Sequence, residues 1–266
     1  MASTKRKPTS LGPKSSSNDW SYPYPPLQSG RLIKRYKRFM ADIELESGET
    51  ITAHCPNTGP MTGVNIQGNR VMVSKSDNPK RKLAYTWELI EVNDNGPIWV
   101  GVNTALPNRV VKSVLESRLI PELGEYETIR PEVPYGKDKK SRIDFLLSSG
   151  DIPQAANQKS AYKPIFVEVK NTTWVDKTLA LFPDTVTTRG QKHLQELIDV
   201  VPEARAVMLY FINRGDCDRF SPGDVADPTY GELLRKAISQ GVEVLPCRFD
   251  ISPTEIRYLG LAELIL

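Results

Sequence analysis

Ile165-Phe166-Val167-Glu168-Val169-Lys170 sets a carboxylate and an ammonium at alternate positions of an otherwise apolar run. Side chains alternate across a strand, so Glu168 and Lys170 share one face while Val167 and Val169 point into the core. A charge on such a strand is costly unless something answers it. Upstream, Arg142-Ile143-Asp144-Phe145-Leu146-Leu147 repeats the pattern around Asp144. If the two strands pair, two carboxylates and one ammonium meet on one patch of sheet. Oxygen ligands of this kind hold Mg²⁺, with Mn²⁺ as a substitute, and leave water and phosphate oxygens to complete the coordination. Lys170 then orients or deprotonates an attacking water, or neutralises charge developing on phosphate. The alternative is a structural ion network in which Arg142 or Lys170 pairs with the acids.

The surrounding periodicity gives these strands a context. Leu106, Val110, Val111, Val114, Leu115 and Leu119 recur at helical spacing, and strands are predicted over 128–135, 142–147 and 164–170. A helix over about 188–200, an apolar strand over 205–212, a helix over about 227–240 and a strand over 242–248 follow. The order α-β-β-β-α-β-α-β describes a mixed sheet flanked by helices. Asp144 followed by Glu168-Val169-Lys170 in that order resembles the PD-(D/E)xK nuclease superfamily. Ile143 stands where its signature has proline. The acid often supplied by the first helix has two candidates, Glu116 and Glu132, and the choice stays open. Arg189, with the helix N-terminus it opens, is a candidate phosphate contact. His193, among apolar helical neighbours, reads as a packed or surface histidine.

The N-terminal part is organised differently. Residues 1–40 carry nine Lys and Arg against one Asp, a net +8, which leaves 26 bases and 31 acids, or −5, for the rest of the 266 residues. A uniformly basic, histone-like protein is excluded. Residues 1–26, rich in Ser, Pro and Lys and almost free of aliphatics, are expected to be a disordered tail. From Arg31 the pattern has period two, through Phe39, Ala41, Ile43 and Leu45. Short strands are expected over 50–53, 70–74, 85–92 and 97–103. About five strands in so short a stretch suggest an OB-like barrel over 27–105, with the second domain over 106–266. The fold class is thus α+β: an OB-like barrel, then a mixed-sheet α/β nuclease-like domain.

Two basic clusters mark the barrel as a nucleic-acid surface. In Lys34-Arg35-Tyr36-Lys37-Arg38, alternation places Lys34, Tyr36 and Arg38 on one face and Arg35 and Lys37 on the other. Lys80-Arg81-Lys82 precedes Tyr85 and Trp87. A charge-protected edge strand and a solvated loop are the plain alternatives. DNA is the expected partner, and RNA stays open. No apolar run reaches the ~20 residues of a membrane span. Three widely spaced cysteines, Cys55, Cys217 and Cys247, fit a reducing, cytoplasmic setting better than a disulfide framework or a zinc site.

A set of motifs in fixed order goes further. Arg35-Tyr36-Lys37-Arg38-Phe39, Cys55-Pro56-Asn57-Thr58-Gly59, Asn78-Pro79-Lys80-Arg81-Lys82 and Val100-Gly101-Val102-Asn103-Thr104 resemble the sugar fermentation stimulation protein (SfsA) family. So do Ser141-Arg142-Ile143-Asp144-Phe145, Val167-Glu168-Val169-Lys170-Asn171, Phe182-Pro183-Asp184 and Arg189-Gly190-Gln191-Lys192-His193-Leu194. The likeness runs from about Leu27 to the C-terminus. It implies an OB-like domain joined to a nuclease-like domain, DNA binding, and a regulatory link to sugar utilisation, chiefly maltose. Two readings remain open: a DNA-binding protein with a Mg²⁺-dependent phosphodiester-hydrolysing site, and a non-enzymatic DNA-binding regulator that retains the nuclease fold. Nothing specific speaks for a protein-interaction module, and the oligomeric state is not legible.

Overall fold

The computed structural model describes residues 20–94, 96–136, 141–150 and 163–266. Residues 1–19 of the expected tail, with their basic residues, lie outside the described residues. Residues 20–24, read as part of that tail, are instead built into the second domain. Strand β1 (Ser21–Pro23) pairs antiparallel with residues 255–257, and Trp20 and Tyr24 are buried in the core beneath it. Each aromatic buries on the order of 150–250 Å². Trp20, Tyr22 and Tyr24 therefore offset an ordering cost that a count of aliphatic residues made prohibitive.

The barrel comprises β2 (Leu27–Tyr36), β3 (Met40–Leu45), β4 (Thr50–His54), β5 (Arg70–Lys75), β6 (Tyr85–Asn93) and β7 (Pro97–Gly101). The sheet runs β4-β3-β2-β5-β6-β7, and a short parallel pairing of β4 with β6, Ala53 to Tyr85 and His54 to Thr86, closes a five-strand ring. Closure removes the open edges that a small sheet otherwise exposes. Leu32, Ile43, Val71, Val73, Trp87 and Ile90 fill the interior. Gly30 is required where β2 crosses β3, since a Cβ there would lie 2.6 Å from the Glu44 carbonyl.

The alternation expected through Arg38 stops earlier. β2 ends at Tyr36, and Lys37 and Arg38 take left-handed backbone angles (φ 49° and 63°) in the turn to β3. A register shift between Leu32 and Lys34 also interrupts the expected facing. Lys37 and Arg38 are thus turn residues rather than members of opposite strand faces.

The second domain continues with α1 (Leu106–Glu116), β8 (Thr128–Tyr135), β9 (Ser141–Ser148), β10 (Ile165–Thr172), β11 (Trp174–Asp176), β12 (Leu179–Phe182) and α2 (Thr188–Val200). Then come β13 (Arg205–Ile212), β14 (Arg219–Pro222), α3 (Pro228–Ser239), β15 (Glu243–Ile251), β16 (Glu255–Leu261) and β17 (Glu263–Leu264). A seven-stranded mixed sheet runs β1-β16-β15-β13-β10-β9-β8, with β10, β13 and β15 parallel. Helix α1 covers one face through Val110, Val114 and Leu115, and α2 and α3 cover the other through Leu194, Leu197 and Leu234. Both faces are therefore core, and the Glu168 face is no exception. β11, β12, β14 and β17, too short to read from sequence, form a small second sheet. Asp227 caps α3 by accepting from the Tyr230 N–H (3.0 Å) and ties it to α2 by accepting from the Thr187 N–H (2.8 Å). No helix among the described residues is long and apolar enough to cross a membrane.

The two domains meet along β7. The Gly101 N–H donates to the Asn213 carbonyl (3.0 Å), and a Cβ on Gly101 would fall 2.0 Å from Asn213 Oδ1, so glycine alone permits this approach. Arg214 is 1% exposed and forks onto Asp216 (2.7 Å) while reaching Asp94 of the barrel (2.6 Å) and the Thr173 carbonyl (3.0 Å).

Candidate active site

β9 and β10 are in register from Leu147–Ile165 to Phe145–Val167, and the ladder then opens. The next residue pair would be Asp144 and Glu168. Instead of a backbone partner, the Val169 N–H donates to Asp144 Oδ2 (2.7 Å). Asp144 Oδ1 accepts from the Asn108 side-chain amide (2.7 Å), so the first turn of α1 orients the carboxylate. The strands bring the two acids together by parting at that point.

Glu168 is 2% exposed. Its Oε1 accepts from Lys170 Nζ (2.6 Å) and lies against Nδ1 of His193, itself 3.0 Å from Lys170 Nζ. Nδ1 can donate to the carboxylate or accept from the ammonium, not both at once. Oε2 of Glu168 is buried without a hydrogen-bond partner. Alongside, Glu196 Oε1 accepts from the Ser141 hydroxyl (2.6 Å), while Glu196 Oε2 and the Tyr135 hydroxyl are likewise buried and unpartnered. Native proteins leave few such atoms, so a group of them invites a water or an ion.

Environment pushes the two carboxylates apart. Burial first, and the charge of Glu168 second, raise Asp144 to a pKa of about 6 against the opposing pull of the Val169 N–H and Lys170. Burial alone would raise Glu168 too, but the His193 hydrogen bond and the Lys170 charge outweigh it and hold its pKa below the usual value. Two acids separated in this way can take different proton-transfer roles.

Of the expected residues, Asp144, Glu168 and Lys170 converge. Neither candidate for a further acid joins them among the described residues. Glu116 pairs with Lys112 on the exposed side of α1. Glu132 is exposed at a left-handed position (φ 53°), its carbonyl accepting from Arg142 (2.8 Å). The side chain that α1 does deliver is an amide, Asn108. His193, read as a packed or surface histidine, is buried and also touches both Glu168 and Lys170. Among the described residues, no group of three or more His, Cys, Asp or Glu could hold a metal ion. The donor set is therefore two carboxylates, one with an oxygen to spare, which fits a hard cation that keeps several waters.

On the barrel, Lys34 pairs with Asp42 (3.6 Å) and lies 5.4 Å from the ring centre of Tyr36, whose hydroxyl donates to Asp42 (3.0 Å). Arg35 turns inward and donates to the carbonyls of Arg38 (2.8 Å), Asn57 (2.9 Å) and Gly59 (2.9 Å). It braces the 55–59 loop. Lys37, Arg38, Lys80, Arg81 and Lys82 are exposed, Arg81 also donating to Thr86 (2.9 Å). The 37–39 turn bonds to Cys55, and His54 pairs with Thr86. Both basic clusters therefore sit on one rim. That rim also faces the second domain, through the Thr62 N–H to Asp184 (3.3 Å), and Thr104 of the connection donates to the Pro56 carbonyl (3.1 Å). Arg189 is exposed at the start of α2, where the Gly190 N–H is already taken by the Thr187 cap (3.1 Å).

A closed OB barrel joined to a mixed-sheet domain flanked by helices is the class these elements define. The family model for the SfsA N-terminal OB domain matches residues 33–102, and that for the Sugar fermentation stimulation protein RE domain matches residues 105–255. The chain belongs to the SfsA family. It is 64% identical over 248 residues to the sugar fermentation stimulation protein homolog of Trichormus variabilis, covering 93% of this chain and 99% of that one. It is 68% identical over 245 residues to the homolog of Synechococcus elongatus, covering 92% and 98%. The fold is similar to the solved structure of Pyrococcus furiosus SfsA in complex with Ca²⁺, with a TM-score of 0.78 at 25% identity over 92% of this chain and 98% of that one.

Proposed function

We propose that this protein grips nucleic acid, DNA in the first instance and RNA as the other polymer, with the basic barrel rim, and hydrolyses a phosphodiester at Asp144, Glu168 and Lys170. The observation that carries this reading is the opened ladder, where two carboxylates meet and one buried oxygen, Glu168 Oε2, has no partner. A Mg²⁺ ion, with Mn²⁺ as substitute, would be held by Asp144 and Glu168 and would supply a bound water of lowered pKa and a polarised phosphate. The Ca²⁺ in the relative's structure supports a divalent cation here. Asn108 and the Val169 N–H hold Asp144 in place. Lys170, fixed by Glu168 and His193, presents its ammonium to the attacking water or the phosphate oxygens. Lys37, Arg38, Lys80 and Lys82 contact phosphates and carry no sequence information. Three free, buried cysteines support the cytoplasm as the compartment.

The second reading, a non-enzymatic DNA-binding regulator of sugar utilisation, is favoured by one feature: α1 supplies an amide, Asn108, where an acid would complete a fuller metal set. Labelled single- and double-stranded DNA and RNA, incubated with Mg²⁺, Mn²⁺ or EDTA, decide between them. Metal-dependent cleavage that Asp144→Asn abolishes supports the enzyme. Binding without cleavage under every metal supports the regulator.

A further inference from the structure

A cavity of about 150 Å³ lies in the seam between the domains, lined from the barrel by Asn57, from the connection by Thr104, and from the second domain by Asn171, Thr172, Trp174, Phe182 and Asp184. It begins one residue beyond Lys170 on the same strand. Its chemistry is specific. The side-chain carbonyl of Asn57 is occupied by the Gly59 N–H (2.9 Å) and that of Asn171 by Asn213 (2.9 Å), so each offers its NH₂. Asp184 has one oxygen on the Thr62 N–H (3.3 Å) and offers the other as an acceptor. Thr172 is 1% exposed and its hydroxyl has no partner. Trp174 is only half-buried, pairs with no aromatic ring among the described residues, has Gly223 against the edge of its indole, and also lines a neighbouring cavity of about 260 Å³.

Amide donors, a carboxylate acceptor and an indole around a small slot match a flat heterocycle that carries both carbonyl and amino groups. We propose that the seam is a pocket for one unpaired nucleobase, stacked on Trp174 and read by Asn57, Asn171 and Asp184. The inference rests on the nucleic-acid reading above and deepens it: the strand whose base enters the seam must be single or locally opened, because a paired base is not available to such a slot. Arg35, by bracing the carbonyls of Asn57 and Gly59, positions one wall.

The test uses the full chain in EDTA, so that cleavage plays no part. A short single-stranded DNA and its derivatives with one abasic position, scanned along the strand, compete for binding. Base–aromatic stacking at about 1–3 kcal/mol corresponds to a loss of roughly 5- to 150-fold. Such a loss is expected at one position of the scan for wild type. Trp174→Ala should lose as much on intact DNA and nothing further at that position, while Trp174→Phe keeps most of the discrimination. If wild type binds intact and abasic strands alike, the pocket is overturned and the backbone grip stands. If Trp174→Ala discriminates as wild type does, the base is read elsewhere and the pocket is again overturned. If wild type binds no strand at all, the nucleic-acid reading falls, and this inference with it.

Discussion

Arg214 and Glu168 are both nearly inaccessible, yet their surroundings differ in kind. Arg214 spends its donors on Asp216, Asp94 and the Thr173 carbonyl. Glu168 has one oxygen crowded by Lys170 and His193 and the other without a partner. A buried charge that is fully met holds structure together, here the two domains. One that is half met keeps an acceptor for a group from outside the chain. Removing one partner of a fully met buried pair costs about 3–5 kcal/mol. Arg214→Ala is therefore expected to lower stability by that amount, read from the urea midpoint at unchanged m. A loss under about 1 kcal/mol, no more than an exposed pair is worth, would dissolve the distinction from the side of Arg214.

The same comparison is tested next at Glu168. Gln keeps the shape and the contact with Lys170 but removes the charge. Glu168→Gln should lower metal-dependent cleavage on the order of 10³-fold, as loss of a charge-stabilising group does, with a modest loss of stability. The folded chain favours the Glu168 carboxylate, so its contribution is present above the unfolded pKa and fades as the pH falls through the lower folded value. Cleavage within a few-fold of wild type, in a variant that melts normally, would make Glu168 a second Arg214.

Asp144 carries the opposite sign. Its pKa rises from 3.8 to about 6 on folding, so the folded chain binds this proton more tightly than the unfolded chain does. The stability this lends is complete below about pH 4 and lost as the pH passes about 6. Above that, an ionised Asp144 costs up to about 3 kcal/mol. Asp144→Asn removes the titration, and an amide can still accept from Val169 and meet a flipped Asn108. The variant is expected to be more stable than wild type at about pH 8 by about 1–3 kcal/mol, the gap closing towards about pH 4.5, while cleavage is lost. Urea titrations at the two pH values check it. A variant less stable at the higher pH would mean that the Val169 and Asn108 bonds outweigh burial.

Asp144, Glu168 and Lys170 were legible because a charge in an apolar strand is conspicuous on physical grounds, and α2 and β13 because their periods are strong. His193 and Asn108 were not, since each acts only where a helix lies against the opened ladder, and no local pattern reports which turn that is. The Lys37–Arg38 turn carries no glycine or asparagine to announce left-handed backbone. Trp20 and Tyr24 were hidden by a composition dominated by Ser, Pro and Lys, although three aromatics at alternate positions are a burial signal in themselves. Glu116 and Glu132 stood on the predicted first helix and the next strand with the right charge, but the place on α1 near Asp144 is held by a neutral amide.

The smallest expected effect lies on the barrel rim, where the exposed lysines of the 80–82 loop are held by nothing buried. On the proposed function Lys80 and Lys82 would act only through phosphate, so Lys80→Ala with Lys82→Ala should leave the melting temperature unchanged and weaken DNA binding several-fold at about 0.15 M salt. The plot of log affinity against log salt should flatten by roughly one for each phosphate no longer neutralised. Arg35→Ala should do the reverse: its guanidinium is spent on three carbonyls, so the variant loses stability and loosens the 55–59 loop while the salt slope holds. Adjacent basic residues of one rim then separate by mechanism. If the lysine pair leaves the slope untouched, the 80–82 loop does not touch the polymer. If Arg35→Ala flattens the slope as the lysines do, the distinction drawn between Arg214 and Glu168 does not extend to the surface, because a cation with its donors engaged inside the chain would still be contacting phosphate.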